Sequence, residues 1–213
     1  MYGENQEDIF YYITTLNENY AQPAMPENAQ EGIIKGIYKV KTFEAKNDYK
    51  VKLLGSGSIF QEAMKAAEIL SKEYDIKVEI YSVTSYNELT REAQDLEREN
   101  LLNLDTTAKT PYIEKVLGSD TDSIIISATD YMKAYSEQLR PYIKGNFKAL
   151  GTDGFGRSDS RANLRKFFEV DTNFIVYTTL AELAINGKID KKVALEAKNK
   201  YAIDTNKINP RNA

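Results

Sequence analysis

The chain has 213 residues, of which 42% are hydrophobic and 28% charged, the balance of a folded globular protein rather than a disordered one. Its formal charge of -4, with both signs mixed along the sequence, disfavours nucleic acid as a partner, and no run approaches the roughly 20 apolar residues that cross a bilayer. Cysteine and histidine are both absent, which removes disulfides, thiolate and imidazole metal sites, and any Ser-His-Asp or Cys-His catalysis.

Carboxylates, lysine, tyrosine and hydroxyls remain as acid/base groups. The opening MYGENQEDIF lacks the basic-then-apolar order of a signal peptide, so a cytoplasmic location with no membrane partner is expected. The run 8–16, DIFYYITTL, is rich in aromatic and β-branched residues and predicts a buried strand. A long proline-bearing connection, NENYAQPAMPEN, follows it, so residues 1–25 read as the end of a preceding unit and 26–213 as the domain proper.

After Pro26, ENAQEGIIKGIY predicts a short helix. The alternating runs 38–44 (YKVKTFE) and 49–54 (YKVKLL) predict two strands joined as a hairpin through AKND. GSGS at 55–58 opens an apolar stripe at Ile59, Ala63, Ala66, Ala67 and Leu70, spaced for a helix face, and 77–84 (KVEIYSVT) is a strand. This β-turn-α-β unit implies parallel pairing. Ser85 stands three residues before Glu88, a capping-box spacing, at the head of the charged helix SYNELTREAQDLEREN.

TPYIEKVLG then predicts a helical turn, and 123–128 (SIIISA) a strand buried on both faces. TDYMKAYSEQLRPYI predicts a helix capped by Thr129 or Asp130, 147–151 (FKALG) a short strand, and 161–168, 171–186 and 191–201 three helices before a polar tail. Strands alternating with helices give an open, mostly parallel α/β sheet with helices on both faces and an antiparallel edge strand.

Four motifs invite functional readings. GSGS between strand and helix could hold a phosphate, but it lacks the third glycine of the dinucleotide fingerprint and the lysine of the P-loop, so a tight turn that opens a helix is the better reading. Glu88, Glu92, Asp95, Glu97 and Glu99 interleave with Arg91 and Arg98 at helical spacings, which predicts ion pairs on a solvated face. For Asn17, Glu18, Asn19 and Tyr20, which leave the end of a predicted strand, both a ligand-facing role and a self-capping turn fit.

The loop GTDGFGRSDSR, 151–161, supplies turn glycines, an N-cap in Asp159 or Ser160, and arginines at 157, 161 and 165 that could hold an anion. Asp153 and Asp159 stand near enough in sequence to neutralise two of those arginines, which favours a rigid hydrogen-bonded loop. A free-standing module that binds an anionic small molecule at GSGS or GTDGFGR is the competing reading.

Taken in order, TLNENYAQPAMPE, EGIIKGIYK, LLGSGSI, NELTREAQDLER, ATDYMKAYSEQLRPYI, LGTDGFGRSDSRANLRKFFEVD and INPR resemble the C-terminal region of the homodimeric type of pyruvate dehydrogenase decarboxylating component, a transketolase-like thiamine-diphosphate family. The resemblance covers essentially the whole chain. It implies a three-layer α/β/α sandwich around a five-stranded, mostly parallel mixed sheet. It also implies a parent that decarboxylates pyruvate and passes the acetyl unit to lipoyl groups of an acyltransferase component.

By the same resemblance, thiamine diphosphate and magnesium belong to the N-terminal and middle domains, and the isolated chain is expected to be inactive. Its partners would be those domains and a second subunit of the homodimer, with the acyltransferase engaged through the N-terminal region. Some members carry a histidine after NENY that faces the substrate adduct. Here that position is Ala21, so Asn17, Glu18, Asn19, Tyr20 and Ala21 are implied as active-site wall. The loop resembles the D-x-F-G-x-S element of transketolases, which implies that Asp153, Phe155, Arg157, Ser158, Asp159 and Arg161 form docking chemistry between domains and subunits.

Overall fold

The computed structural model describes residues 4, 6, 8–13, 15 and 18–213. In chain order the elements are α1 (Gln30–Lys35), β1 (Ile37–Phe43), β2 (Asn47–Gly55), α2 (Phe60–Tyr74), β3 (Ile76–Val83), α3 (Tyr86–Leu102) and α4 (Tyr112–Leu117). They continue with β4 (Ile124–Ala128), α5 (Lys133–Glu137), β5 (Asn146–Leu150), α6 (Arg161–Phe167), α7 (Thr172–Ile185) and α8 (Lys191–Lys200). One five-stranded sheet runs β1-β3-β2-β4-β5, parallel except for β1, which lies antiparallel on β3.

Side-chain alternation along the strands builds two cores. Leu53, Val78, Ile80, Ile124 and Ile126 face α2, α7 and α8, while Leu54, Tyr81, Val83, Ile125 and Phe147 face α3 and α4. The chain is therefore a three-layer α/β/α sandwich. Local chemistry agrees with it: the α2 stripe at Ala63, Ala66, Ala67 and Leu70 is buried, the Glu88 amide donates to Ser85 Oγ at 3.1 Å, and the Phe174 amide donates to Asp171 Oδ1 at 2.8 Å.

The predicted hairpin does not form. β1 and β2 are not paired, because β3 lies between them and satisfies both. Crossing it means spanning two inter-strand spacings, about 10 Å, which three extended residues can cover. Residues 44–46 do so, pinned where the Lys46 amide donates to Asp75 Oδ1 at 3.0 Å and the Asn47 amide to the Asp75 carbonyl at 3.2 Å. The edge strand is antiparallel as expected, but it reaches its place by straddling β3.

Two further expectations fail. The described part of 8–16 forms no strand, and Phe10 and Tyr12 are 88% and 89% exposed, since among the described residues no strand lies beside them to offer backbone partners. The helix predicted to be capped by Thr129 or Asp130 begins only at Lys133 and lasts five residues. Thr129 is buried and turned to other partners: its hydroxyl accepts from Ser56 Oγ at 2.8 Å and from the Tyr131 amide at 3.2 Å. Among the described residues no helix is long and apolar enough to cross a membrane.

Candidate functional site

Parallel pairing brings the carboxyl ends of β2, β4 and β5 to one edge, where loops 55–59, 129–132 and 151–160 meet. They are tied together. The Ser56 amide donates to the Ala128 carbonyl at 3.2 Å, the Thr129 amide to the Leu150 carbonyl at 3.1 Å, and the Thr152 amide to the Tyr131 carbonyl at 2.9 Å. A Cβ on Gly151 would stand 2.6 Å from the Tyr131 carbonyl oxygen, so only glycine permits this approach. Gly154, at φ 98°, makes a second close contact with the Pro210 carbonyl of the returning tail.

The residues named from sequence divide by task. Asp153 Oδ1 accepts from the Lys133 amide at 2.9 Å and so serves α5. Asp159 accepts from Asn163 Nδ2 and the Ser160 amide, and those bonds, the Asn163 one first, hold its carboxyl below the usual aspartate range. Ser160 is the N-cap of α6, accepting from the Asn163 amide at 3.3 Å. Neither aspartate neutralises an arginine, contrary to the sequence expectation, because both carboxylates are spent on amides of nearby turns.

The arginines look elsewhere. Arg157 stacks 4.5 Å over the Phe167 ring, and among the described residues no carboxylate lies within ion-pairing distance of it. Arg161 pairs with Glu18 at 2.7 Å and Arg165 with Glu62 at 3.0 Å. Together with Ser58, Ile59 and Phe155, which is 85% exposed, the three arginines line an open cleft of about 450 Å³ between the two glycine-bearing loops. Ser158 is exposed.

Residues 18–21 lie against this same side of the molecule. The Tyr20 hydroxyl donates to Glu18 Oε2 at 2.9 Å and accepts from Arg165 Nη2 at 3.0 Å, while Gln61 Nε2 donates to the Ala21 carbonyl at 3.0 Å. Asn19 is exposed, and Asn17 falls outside the described residues. Two stretches far apart in sequence, the wall candidates and the docking loop, are thus joined through α6.

One member of this group escaped the sequence reading. Glu62 is 7% exposed, and its Oε2 accepts from the Thr172 amide at 3.0 Å and the Thr172 hydroxyl at 2.6 Å. Burial alone would raise its pKa, but the Thr172 bonds, with Lys65 and Arg165 nearby, outweigh it and hold the carboxyl below the ordinary glutamate value. The signal was present: Glu62 sits three residues after Ile59 and four before Ala66, on the apolar stripe itself. A charge at a stripe position calls for a partner from another element.

At the GSGS turn, the Asp130 carboxylate occupies the space where a phosphate would be sought. Ser58 Oγ lies 3.3 Å from Asp130 Oδ2, and a Cβ on Gly57 would stand 3.1 Å from Asp130 Oδ1. A second anion would be repelled there, so the turn is a helix entry. Among the described residues no three carboxylates are placed to hold a cation, and Arg161 and Arg165 are engaged with Glu18 and Glu62. These residues do not fit a thiamine diphosphate and magnesium pair. The acidic helix also departs from expectation: Arg91 pairs with Glu88, but Glu92 accepts from the Tyr112 amide and Glu97 from the Tyr142 hydroxyl, which couples α3 to its neighbours.

Comparison with known proteins agrees with this architecture. Residues 36–171 match the family model of the transketolase-like TK C-terminal domain. The chain is 54% identical over 212 residues to the pyruvate dehydrogenase E1 component of Escherichia coli (strain K12), an alignment covering 99% of this chain and 23% of that protein. It is 49% identical over 208 residues to the pyruvate dehydrogenase E1 component of Pseudomonas aeruginosa, covering 97% of this chain and 24% of that one. A transketolase from Leishmania mexicana aligns over 71% of this chain and 18% of its own, at 22% identity and a TM-score of 0.46. The chain thus spans about a quarter of the length of the curated relatives it matches. It belongs to the transketolase-like C-terminal domain family.

Proposed function

We propose that this chain is the C-terminal accessory domain of a pyruvate dehydrogenase E1 component of the homodimeric type, with residues 1–25 closing a preceding thiamine-binding domain. The observation that carries this reading is the end-to-end similarity to E1 components at about half identity, over nearly the whole chain and about a quarter of theirs. In this reading the parent decarboxylates pyruvate on thiamine diphosphate and magnesium held by its other domains, then transfers the acetyl unit to lipoyl groups of the acyltransferase component in the cytoplasm. The cleft and its rim, Phe155 and Arg157 above all, pack against the other domains or the second subunit. Residues 18–21 form a wall beside the reacting centre.

The test is a longer polypeptide that carries this chain, purified with thiamine diphosphate and magnesium and assayed for pyruvate decarboxylation. Turnover that disappears when 26–213 are deleted supports the reading. Absence of turnover with pyruvate in the intact polypeptide overturns it. The competing reading, an anion-binding module, draws on one observation, the missing carboxylate partner of Arg157 in an open cleft. Phosphate or carboxylate binding abolished by Arg157→Ala would favour it.

A further inference from the structure

We propose that Glu62 is the positioning residue for the stretch 18–21, acting through a hydrogen-bonded relay from Glu62 to Arg165 to Tyr20. Side chains must do this work. Among the described residues, 18–25 belong to no helix or strand and take part in no backbone–backbone hydrogen bond. The register of this stretch on the domain therefore depends on what its side chains and the Ala21 carbonyl meet.

The relay begins at a fixed point. Glu62 lies on α2, buried, with Oε2 given to Thr172 at the first turn of α7. Its other oxygen, Oε1, accepts from Arg165 Nη1 at 3.0 Å. The guanidinium is a planar fork, so fixing one terminal nitrogen aims the other. Nη2 points to the Tyr20 hydroxyl at 3.0 Å.

Donor and acceptor counts agree along the chain of bonds. Arginine can only donate, so the Tyr20 oxygen accepts from it and is left with one proton to give. That proton goes to Glu18 Oε2 at 2.9 Å, and Glu18 closes on Arg161 at 2.7 Å. Gln61, next to Glu62 on α2, adds a bond to the Ala21 carbonyl. Charges alternate from carboxylate to guanidinium, hydroxyl, carboxylate and guanidinium along the relay, and Lys65, 3.5 Å from Glu62 Oε1, adds a second cation at its head.

The relay itself stands on the geometry, whereas its consequence for turnover rests on the proposed function. Tyr20→Phe removes one hydroxyl from a half-exposed side chain and leaves the core intact, so it tests the relay without testing folding. Backbone order parameters for residues 18–22, from 15N relaxation of the chain, are expected to fall from about 0.8 to below about 0.6 in Tyr20→Phe and in Glu62→Gln. The double variant should fall no further, because both changes cut the same relay. Unchanged order in Tyr20→Phe, or additive losses in the double variant, overturns the proposal. In the longer polypeptide, Tyr20→Phe is expected to lower kcat for pyruvate roughly tenfold or more, through misplacement of the wall. A disordered stretch with unchanged turnover supports the relay and overturns the wall role.

Discussion

Arg165 Nη2 meets the Tyr20 hydroxyl at 3.0 Å, a contact between residues 145 positions apart that joins the start of the described chain to α6. The same guanidinium holds the buried Glu62 carboxylate. Removing Arg165 leaves this buried carboxylate only Lys65, 3.5 Å away, and the Thr172 donors, at a cost of up to about 3 kcal/mol. Arg165→Met should therefore lower the unfolding free energy by up to that amount, read as a fall in the urea midpoint at unchanged m-value. A change below about 0.5 kcal/mol, the size found for exposed pairs, would show that water already screens Glu62.

The carboxylates around α7 make opposite contributions to acid stability. Glu62 is held below its ordinary value, so its stabilisation is present above the unfolded glutamate pKa of about 4.3 and is lost as pH falls through the lower, folded value. Asp171 is pushed up, by burial first and by the charge of Glu62, against the Phe174 amide bond. Its contribution is present below the unfolded aspartate pKa and is lost as pH rises through the folded one. Thermal melts from about pH 3 to 7 should show Glu62→Gln flattening the acid limb and Asp171→Asn steepening it. Parallel shifts of the whole curve in both variants would contradict the assignment.

Ile124 and Ile126 lie on β4, an interior strand between β2 and β5, and face α2 and α7, each at most 1% exposed. Ile→Ala at either site should cost roughly 2 to 5 kcal/mol by chemical denaturation, from lost burial and an unfilled cavity. A loss under about 1 kcal/mol at both would mean that this face of the strand is not buried against the helices.

Arg157 stacks on the Phe167 face, and among the described residues it forms no ion pair. An exposed contact of this kind is worth roughly 0.5 to 1 kcal/mol, so Arg157→Ala should leave the melting temperature of the isolated chain nearly unchanged. In the longer polypeptide the same substitution should weaken dimerisation or cofactor retention, because a desolvated guanidinium makes bonds of roughly 1.5 to 3 kcal/mol. Equal destabilisation of both proteins would place the partners of Arg157 inside the domain and end the docking interpretation.

Calorimetry of the isolated chain with thiamine diphosphate and magnesium should give no heat of binding. The described carboxylates converge on no cation position, and the GSGS turn already faces the Asp130 carboxylate. Micromolar binding would require a site other than the two glycine-bearing loops.

Much of the fold was legible in the sequence because its signals are local. Ser85 caps the helix its spacing predicts, Ser160 is the one of the two candidates that caps α6, and the IIISA run reads as a strand buried on both faces without knowledge of its neighbours. Pairing is not local. YKVKTFE and YKVKLL alternate as hairpin strands do, yet β3 lies between them, since the β2-α2-β3 crossover lays β3 parallel along the edge of β2 that a hairpin would use. DIFYYITTL has strand composition, but composition supplies no partner for its backbone, and its described residues stay exposed.

The site divides the same way. The glycines of 151–161 announce a shaped loop, because a close approach or a positive φ demands them wherever the chain later goes. Charge partners are settled only by the fold. Asp153 and Asp159 lie near the arginines in sequence but satisfy backbone amides, while Arg161 and Arg165 find Glu18 and Glu62 far along the chain. An ion pair is fixed by distance in space and by the cost of burying a charge, and neither quantity exists until the helices have packed.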